Sequence, residues 1–243
     1  MSMKGSGVSL IRLECGNANA IDGRVLETIG QGLDKALSDK ALAVVITGYE
    51  NHFSAGLNLT ALPETREGMA EFVEAFERCL LQLLRYPLPA VAAVNGHAVA
   101  GGLVLACACD LRIGAEGRYR IGLSEVDVGV PFPSAALEIV RAVVAKPWTT
   151  DVILGSRLLD PAEAVQAGFL HGVVPAQRLE REALARAREL GSKPQPAFRL
   201  TKAALHAETL SRIEAQAAES RKNFIECWLS DDARQRREGM LKR

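Results

Sequence analysis

Two stretches rich in Gly and Ala, and one glutamate, carry the residue types and spacing in this chain that could do chemistry. The first stretch is Phe53-Ser54-Ala55-Gly56-Leu57-Asn58. The second is Asn95-Gly96-His97-Ala98-Val99-Ala100-Gly101-Gly102. Small residues let a ligand approach the backbone, and glycine tolerates positive φ. The second stretch runs into Leu103-Val104-Leu105-Ala106-Cys107, which can open a helix. An N–H in the first turn of a helix has no intrahelical partner and attracts anions. Two such groups, one from each stretch, would make an oxyanion hole. The glutamate is Glu125, within Gly122-Leu123-Ser124-Glu125-Val126-Asp127-Val128-Gly129-Val130-Pro131. Its apolar neighbours Leu123, Val126, Val128 and Val130 should raise its pKa towards the working range of a general base or acid. Asp127 is a weaker candidate, because it shares a face with Glu125 only in an extended segment, and a turn is expected here.

Strands and helices must position these groups. Each stretch follows an apolar run, Ala43-Val44-Val45-Ile46-Thr47 or Ala90-Val91-Ala92-Ala93-Val94, that reads as a buried strand. Val8 to Leu13 reads as a first strand, and Gly16 to Ala20 as a loop. Asp22 can cap a helix with Val25, Leu26, Ile29, Leu33 and Leu37 on one face. Met69, Phe72, Phe76, Leu80 and Leu83 mark a face of a longer helix, read as core rather than pocket lining. Tyr86-Pro87-Leu88-Pro89 breaks that helix. Asp110 to Ala115 and Tyr119 to Gly122 read as further strands, which leaves Glu125 in a turn after the second. The chain is helical in character from Ser134. Pro161 stands in the first turn of one helix, which Gly168 ends, and Val173-Val174 reads as a brief extended link. Pro194-Gln195-Pro196 opens the last helical region. This alternation argues for an α/β fold with a parallel-type sheet layered with helices. Residues 1–190 form the core, and 191–243 a helical C-terminal region.

Of the 243 residues 48% are hydrophobic, which is ample for a core. Lys and Arg balance Asp and Glu at 29 each, so the surface as a whole is not built to bind a nucleic-acid backbone. Five cysteines, an odd number without C-x-x-C spacing, favour a reducing, cytoplasmic setting. No leader or transit segment is visible, and no apolar stretch reaches membrane-spanning length. His52, His97, His171 and His206 are scattered, so no metal is implied; His52 and His97 read as packing or capping groups. The C-terminal cluster Arg234, Arg236, Arg237, Lys242 and Arg243 is interspersed with acids and reads as a solvated face.

Taken together and in this order, the two stretches resemble the paired signatures of the crotonase (enoyl-CoA hydratase/isomerase) superfamily, over the chain from Asn17 to its C-terminus. The resemblance implies a crotonase (ClpP-like) fold of repeated ββα units. It also implies a helical C-terminal region that packs over the active site and builds a homotrimer or a dimer of trimers. The implied substrate is an acyl-CoA thioester, with no further cofactor, no nucleic acid and no membrane involved. The N–H groups of Ala55 and Gly101 would hold the thioester oxygen, and Glu125 would be the catalytic carboxylate. Ala18, Ser54, Gly56, Leu57, Asn58, Leu59, Ala100, Val104 and Pro131 would line the substrate. Leu59 to Gly68 would border the acyl pocket. In the segment around Glu125 the family's Pro position falls on Phe132, between Pro131 and Pro133. The loop before Asn19-Ala20, which would meet the CoA adenine, carries no Lys or Arg. After Glu238-Gly239-Met240 the family often has a Phe and a Lys that reach a neighbour's CoA; here Leu241-Lys242-Arg243 follow.

Val104 departs from the hydratase pattern, in which that position is a second glutamate. Adding water to a double bond suits two carboxylates, whereas moving a double bond needs one. Ile121-Gly122-Leu123-Ser124-Glu125 also matches the context of the single glutamate in Δ3-Δ2-enoyl-CoA isomerases. Isomerisation of 3-enoyl-CoA to trans-2-enoyl-CoA is the leading expectation. Hydration, with a second acid from Asp127 or Glu64, and other acyl-CoA thioester chemistry stay open. So does a non-catalytic, RNA-binding crotonase fold.

Overall fold

The computed structural model describes residues 7–241. After β1 (Val8–Arg12) and α1 (Gly23–Ser38), the chain repeats one pattern three times: long strand, short strand, helix. The first repeat is β2 (Ala43–Thr47), β3 (His52–Ser54) and α2 (Arg66–Leu84). The second is β4 (Ala90–Val94), β5 (His97–Val99) and α3 (Gly101–Cys107). The third is β6 (Leu111–Ala115), β7 (Ile121–Gly122) and the single turn α4 (Glu125–Val128). Then come α5 (Ser134–Val143), α6 (Pro161–Gln166), β8 (Gly172–Val174), α7 (Leu179–Gly191), α8 (Gln195–Trp228) and α9 (Asp231–Leu241).

The long strands build one parallel sheet in the order β1-β2-β4-β6-β8, and the short ones a second parallel sheet, β3-β5-β7. Val173-Val174 is therefore not a link but part of the fifth strand, with Gly114 and Ala115 of β6 as partners. All of β2 and β4 is buried, as expected of parallel strands covered on both faces. On one face Leu179, Ala183 and Ala187 of α7 pack on Val8, Val45, Val91 and Ile113. The other face carries the main core, with Ile29 and Leu33 of α1 and Leu80 and Leu83 of α2.

Local signals account for the helix starts. Asp22 accepts hydrogen bonds from the Arg24 and Val25 N–H groups and caps α1. Val25, Ile29 and Leu33 face the core as spaced, but Leu37 in the last turn is 42% exposed. Asp160 and Glu163 form a reciprocal capping box on α6. The 34-residue α8 is about 50 Å long and runs along α5 and α2. Its last turns put Phe224, Ile225 and Trp228 against Leu62, Met69, Val73, Val128 and Val130, a cluster separate from the main core. Among the described residues no helix is long and apolar enough to cross a membrane.

Contact between the small sheet and α3 is close enough to require a glycine. A Cβ on Gly102 would stand 2.5 Å from the Ser54 carbonyl oxygen of β3. Gly102→Ala should therefore cost about 1–3 kcal/mol, measured by urea denaturation. An unchanged midpoint would mean that α3 and β3 are less tightly apposed than described.

Candidate active site

The three parallel strands of the small sheet end side by side, and each is followed at once by a group the sequence singled out. β3 leads to Ala55-Gly56-Leu57, β5 to Ala100-Gly101, and β7 to Glu125. Past these ends lies a cavity of about 20 Å³, walled by Leu57, Phe72, Val73, Phe76, Gly101, Glu125, Pro133, Ala136 and Phe224. Its size admits about one water-sized group.

Glu125 opens α4 and is 8% exposed. Its Oε2 is buried without a hydrogen-bond partner among the described residues. Burial pushes its pKa up to about 7, against the pull of its own backbone N–H and that of Ser124. A carboxyl at this value can take up and give back a proton near neutrality. Among the described residues it is the only titratable group in the cavity wall.

The expected N–H pair needs one correction. Ala55 N–H donates to the Ala18 carbonyl oxygen at 3.1 Å, so it is already used. Leu57 takes its place. Ile21 N–H donates to Gly56 O, and Asn58 N–H donates to Ile21 O, so Leu57 is bridged to Ile21 through its two neighbours. In a parallel bridge of this kind the central residue's own N–H points away from the partner. Neither Leu57 nor Gly101 N–H has a hydrogen-bond partner among the described residues. Gly101 begins α3, and Ala100 before it takes φ 49° and ψ −128°. An alanine held in that conformation costs about 1–3 kcal/mol, a strain characteristic of functional turns. A Cβ on Gly101 would meet Ile21, Phe76 and Leu57 side chains at 3.1–3.5 Å, so glycine keeps the cavity open.

Several residues expected at the substrate also make contacts that support the site. Ser54 Oγ is buried and donates to Asn19 O at 2.8 Å. Asn58 is buried; its amide donates to Asp22 Oδ2 and its oxygen accepts from Thr60. Gly56, at φ 89°, donates its N–H to Ser54 Oγ. Ala18 N–H donates to the Tyr49 hydroxyl. Leu59 packs on the cluster around Trp228. Val104 lies one turn into α3, fully buried in the main core rather than in the cavity wall. Pro131 is not in that wall either; Pro133 is. Pro133 stands one residue past Phe132, the motif's Pro position, after α4 has ended at Gly129 in the left-handed conformation.

Phe72 and Phe76, read as core, line the cavity as well, since α2 packs across the strand ends. Phe224 and Ala136 carried no signal; spacing within a helix cannot tell which distant element it will meet. The other acids are elsewhere. Asp127 is exposed, and Glu64 faces Arg234 at 3.7 Å and Arg237 at 3.9 Å. Of the basic cluster, Arg236 pairs with Asp232, and Arg237 lies 3.9 Å from the centre of the Trp228 ring. Lys242 and Arg243 lie outside the described residues. His52 and His97 stack at 5.2 Å, and His97 Nδ1 accepts from Arg120 N–H. Among the described residues no cluster of His, Cys, Asp or Glu is placed to hold a metal.

The acid and the residues that carry the two unpaired amides thus line one cavity. The enoyl-CoA hydratase/isomerase family profile matches residues 3–242, and the chain belongs to that family. Human mitochondrial enoyl-CoA delta isomerase 1 is 30% identical over 236 residues, which cover 96% of this chain and 78% of that one. The crystal structure of human mitochondrial delta3-delta2-enoyl-CoA isomerase superposes with a TM-score of 0.88 over 98% of this chain and 94% of that one, at 30% identity. An enoyl-CoA hydratase from Mycobacterium marinum gives 0.84 over 90% and 96%, at 28% identity.

Burial of Glu125 has a consequence for stability that needs no substrate. Its pKa is about 7 in the folded chain against an ordinary 4.5. Between those values the folded state holds the extra proton, so stability is greatest below about 4.5 and falls as pH rises towards 7. The loss is about 3 kcal/mol. In urea denaturation, wild type should weaken relative to Glu125→Gln between pH about 5 and about 8. Parallel curves would mean that the carboxyl is hydrated.

Proposed function

We propose that this chain is a Δ3-Δ2-enoyl-CoA isomerase, which moves the double bond of a 3-enoyl-CoA into conjugation with its thioester. The observation that carries this reading is the lone carboxyl in the cavity. Glu125 takes a proton from C2, the negative charge passes to the thioester oxygen, and the same carboxyl returns the proton at C4. Leu57 and Gly101 N–H groups hold that oxygen, and losing one such donor typically costs about 3–4 kcal/mol in the barrier. The walls around Glu125 are hydrocarbon apart from backbone, so the dienolate is shielded from water. An acyl chain is larger than the cavity, so its binding displaces part of the wall.

Coenzyme A arrives with the substrate, and the reaction calls for no other cofactor. Residues 191–243 are proposed to assemble a homotrimer or a dimer of trimers; Leu200 and Leu205 of α8 are each 74% exposed and would be covered in it. Five unpaired cysteines fit a reducing compartment such as the cytoplasm. Hydration is the second reading, favoured by the likeness to the hydratase from Mycobacterium marinum, and would have Glu125 act alone on a bound water.

Purified protein should convert a 3-enoyl-CoA to the 2-enoyl thioester, seen as a gain of conjugated absorbance. It should add water to a 2-enoyl-CoA far more slowly. Glu125→Gln should lose isomerisation by at least about 10³-fold. Rapid hydration with no isomerisation would favour the second reading, and an active Glu125→Gln enzyme would defeat both.

A further inference from the structure

Glu77 of α2 is an acid for which the chemistry above has no use. It is 1% exposed and does not line the cavity. One carboxylate oxygen accepts from the Arg221 Nε of α8. The other accepts from Ser134 Oγ at 3.5 Å and from the Ala135 N–H at 3.4 Å, in the first turn of α5. Ser134 in turn donates its N–H to Ser220 Oγ at 3.0 Å, and its single hydroxyl proton is shared between Glu77 and the nearer Ile213 O at 3.1 Å, with Ser220 and Ile213 both on α8. One carboxylate thus joins three helices.

Each helix meets this junction next to a residue of the cavity wall. Phe76 adjoins Glu77, Pro133 adjoins Ser134, and Phe224 lies one turn beyond Arg221. Stability alone does not account for an acid here, because replacing a buried ion pair by apolar residues is often neutral or stabilising. Apolar packing, though, is tolerant of small slides. A carboxylate shared among a guanidinium, a hydroxyl and a backbone N–H sets direction as well as distance.

We propose that Glu77 is a positioning residue: through Arg221, Ser134 and Ala135 it fixes the Phe76, Pro133 and Phe224 walls that keep water from Glu125. This deepens the isomerase reading and rests on Glu125 being its base. Glu125 faces no other charged or titratable side chain in the cavity wall, so its titration reports on the seal rather than on a neighbouring charge.

The test is the titration of the Glu125 carboxyl, read by infrared difference spectra of the full chain against the same protein carrying Glu125→Gln. In Glu77→Gln, circular dichroism should show an intact fold. The Glu125 midpoint should drop by about one pH unit or more, because water enters. With a 3-enoyl-CoA, kcat should fall about 10-fold or more and the pH–rate profile should move with the midpoint, while KM changes less. Arg221→Lys, which keeps the charge, should stay close to wild type. If Glu77→Gln does not fold, Ser134→Ala and Arg221→Met give the same reading from the other ends of the junction. A folded Glu77→Gln, or a folded pair of those substitutes, with the wild-type midpoint overturns the proposal. An inactive wild type would sink the isomerase reading alone, because the titration judges Glu77 without any turnover.

Discussion

A carboxyl group with an oxygen that nothing satisfies is an expensive thing to bury, costing on the order of 1–3 kcal/mol or more for the missing partner alone. This fold carries that cost at Glu125 and surrounds the group with three phenylalanines, a leucine, a valine and a proline. The same desolvation that weakens the folded state moves the acid's pKa to about 7. Two backbone N–H groups left without partners beside it add to the debt. In the proposed reaction all three would be relieved together, by a thioester oxygen at the amides and a substrate proton at the acid.

The three groups meet because the chain repeats one topological step. Each repeat sends a long strand into the main sheet and a short one into the small sheet, then turns into a helix. Parallel short strands end on one side, so whatever follows each of them converges. The first repeat supplies Leu57, the second Gly101 and the third Glu125. Rigidity comes from below: Asn19 amide donates to Leu13 O and Phe53 O, and Gly102 lies against Ser54. The remaining wall is drawn from α2, α5 and α8, far along the chain, so the cavity roof depends on how those helices are held together.

Much of this was legible before any coordinates. Apolar runs bounded by Gly-rich turns gave β2 and β4, because strands buried on both faces have no polar alternation to confuse them. Asp22 announced its helix through a short side chain that bonds to nearby backbone, and Pro161 marked the first turn of another. Other features depend on partners that local sequence does not carry. Which amide after β3 faces the cavity is decided by the bridge to Ile21, and a shift of two residues exchanges Ala55 for Leu57. Val173-Val174 becomes a strand through pairing with β6. Pro133 rather than Pro131 stands in the wall, a placement set by the path of the chain between α4 and α5. Phe224 enters from a helix whose own pattern is nearly featureless.

The central claim is that one carboxyl in an apolar cavity carries a proton from one carbon to another. A 3-enoyl-CoA deuterated at C2 tests it most directly, with the product analysed by mass spectrometry and NMR after limited turnover in ordinary water. The account predicts that a substantial share of the deuterium removed from C2 reappears at C4, held by Glu125 between the two steps. Product formed with C4 carrying only solvent hydrogen from the first turnovers would contradict it.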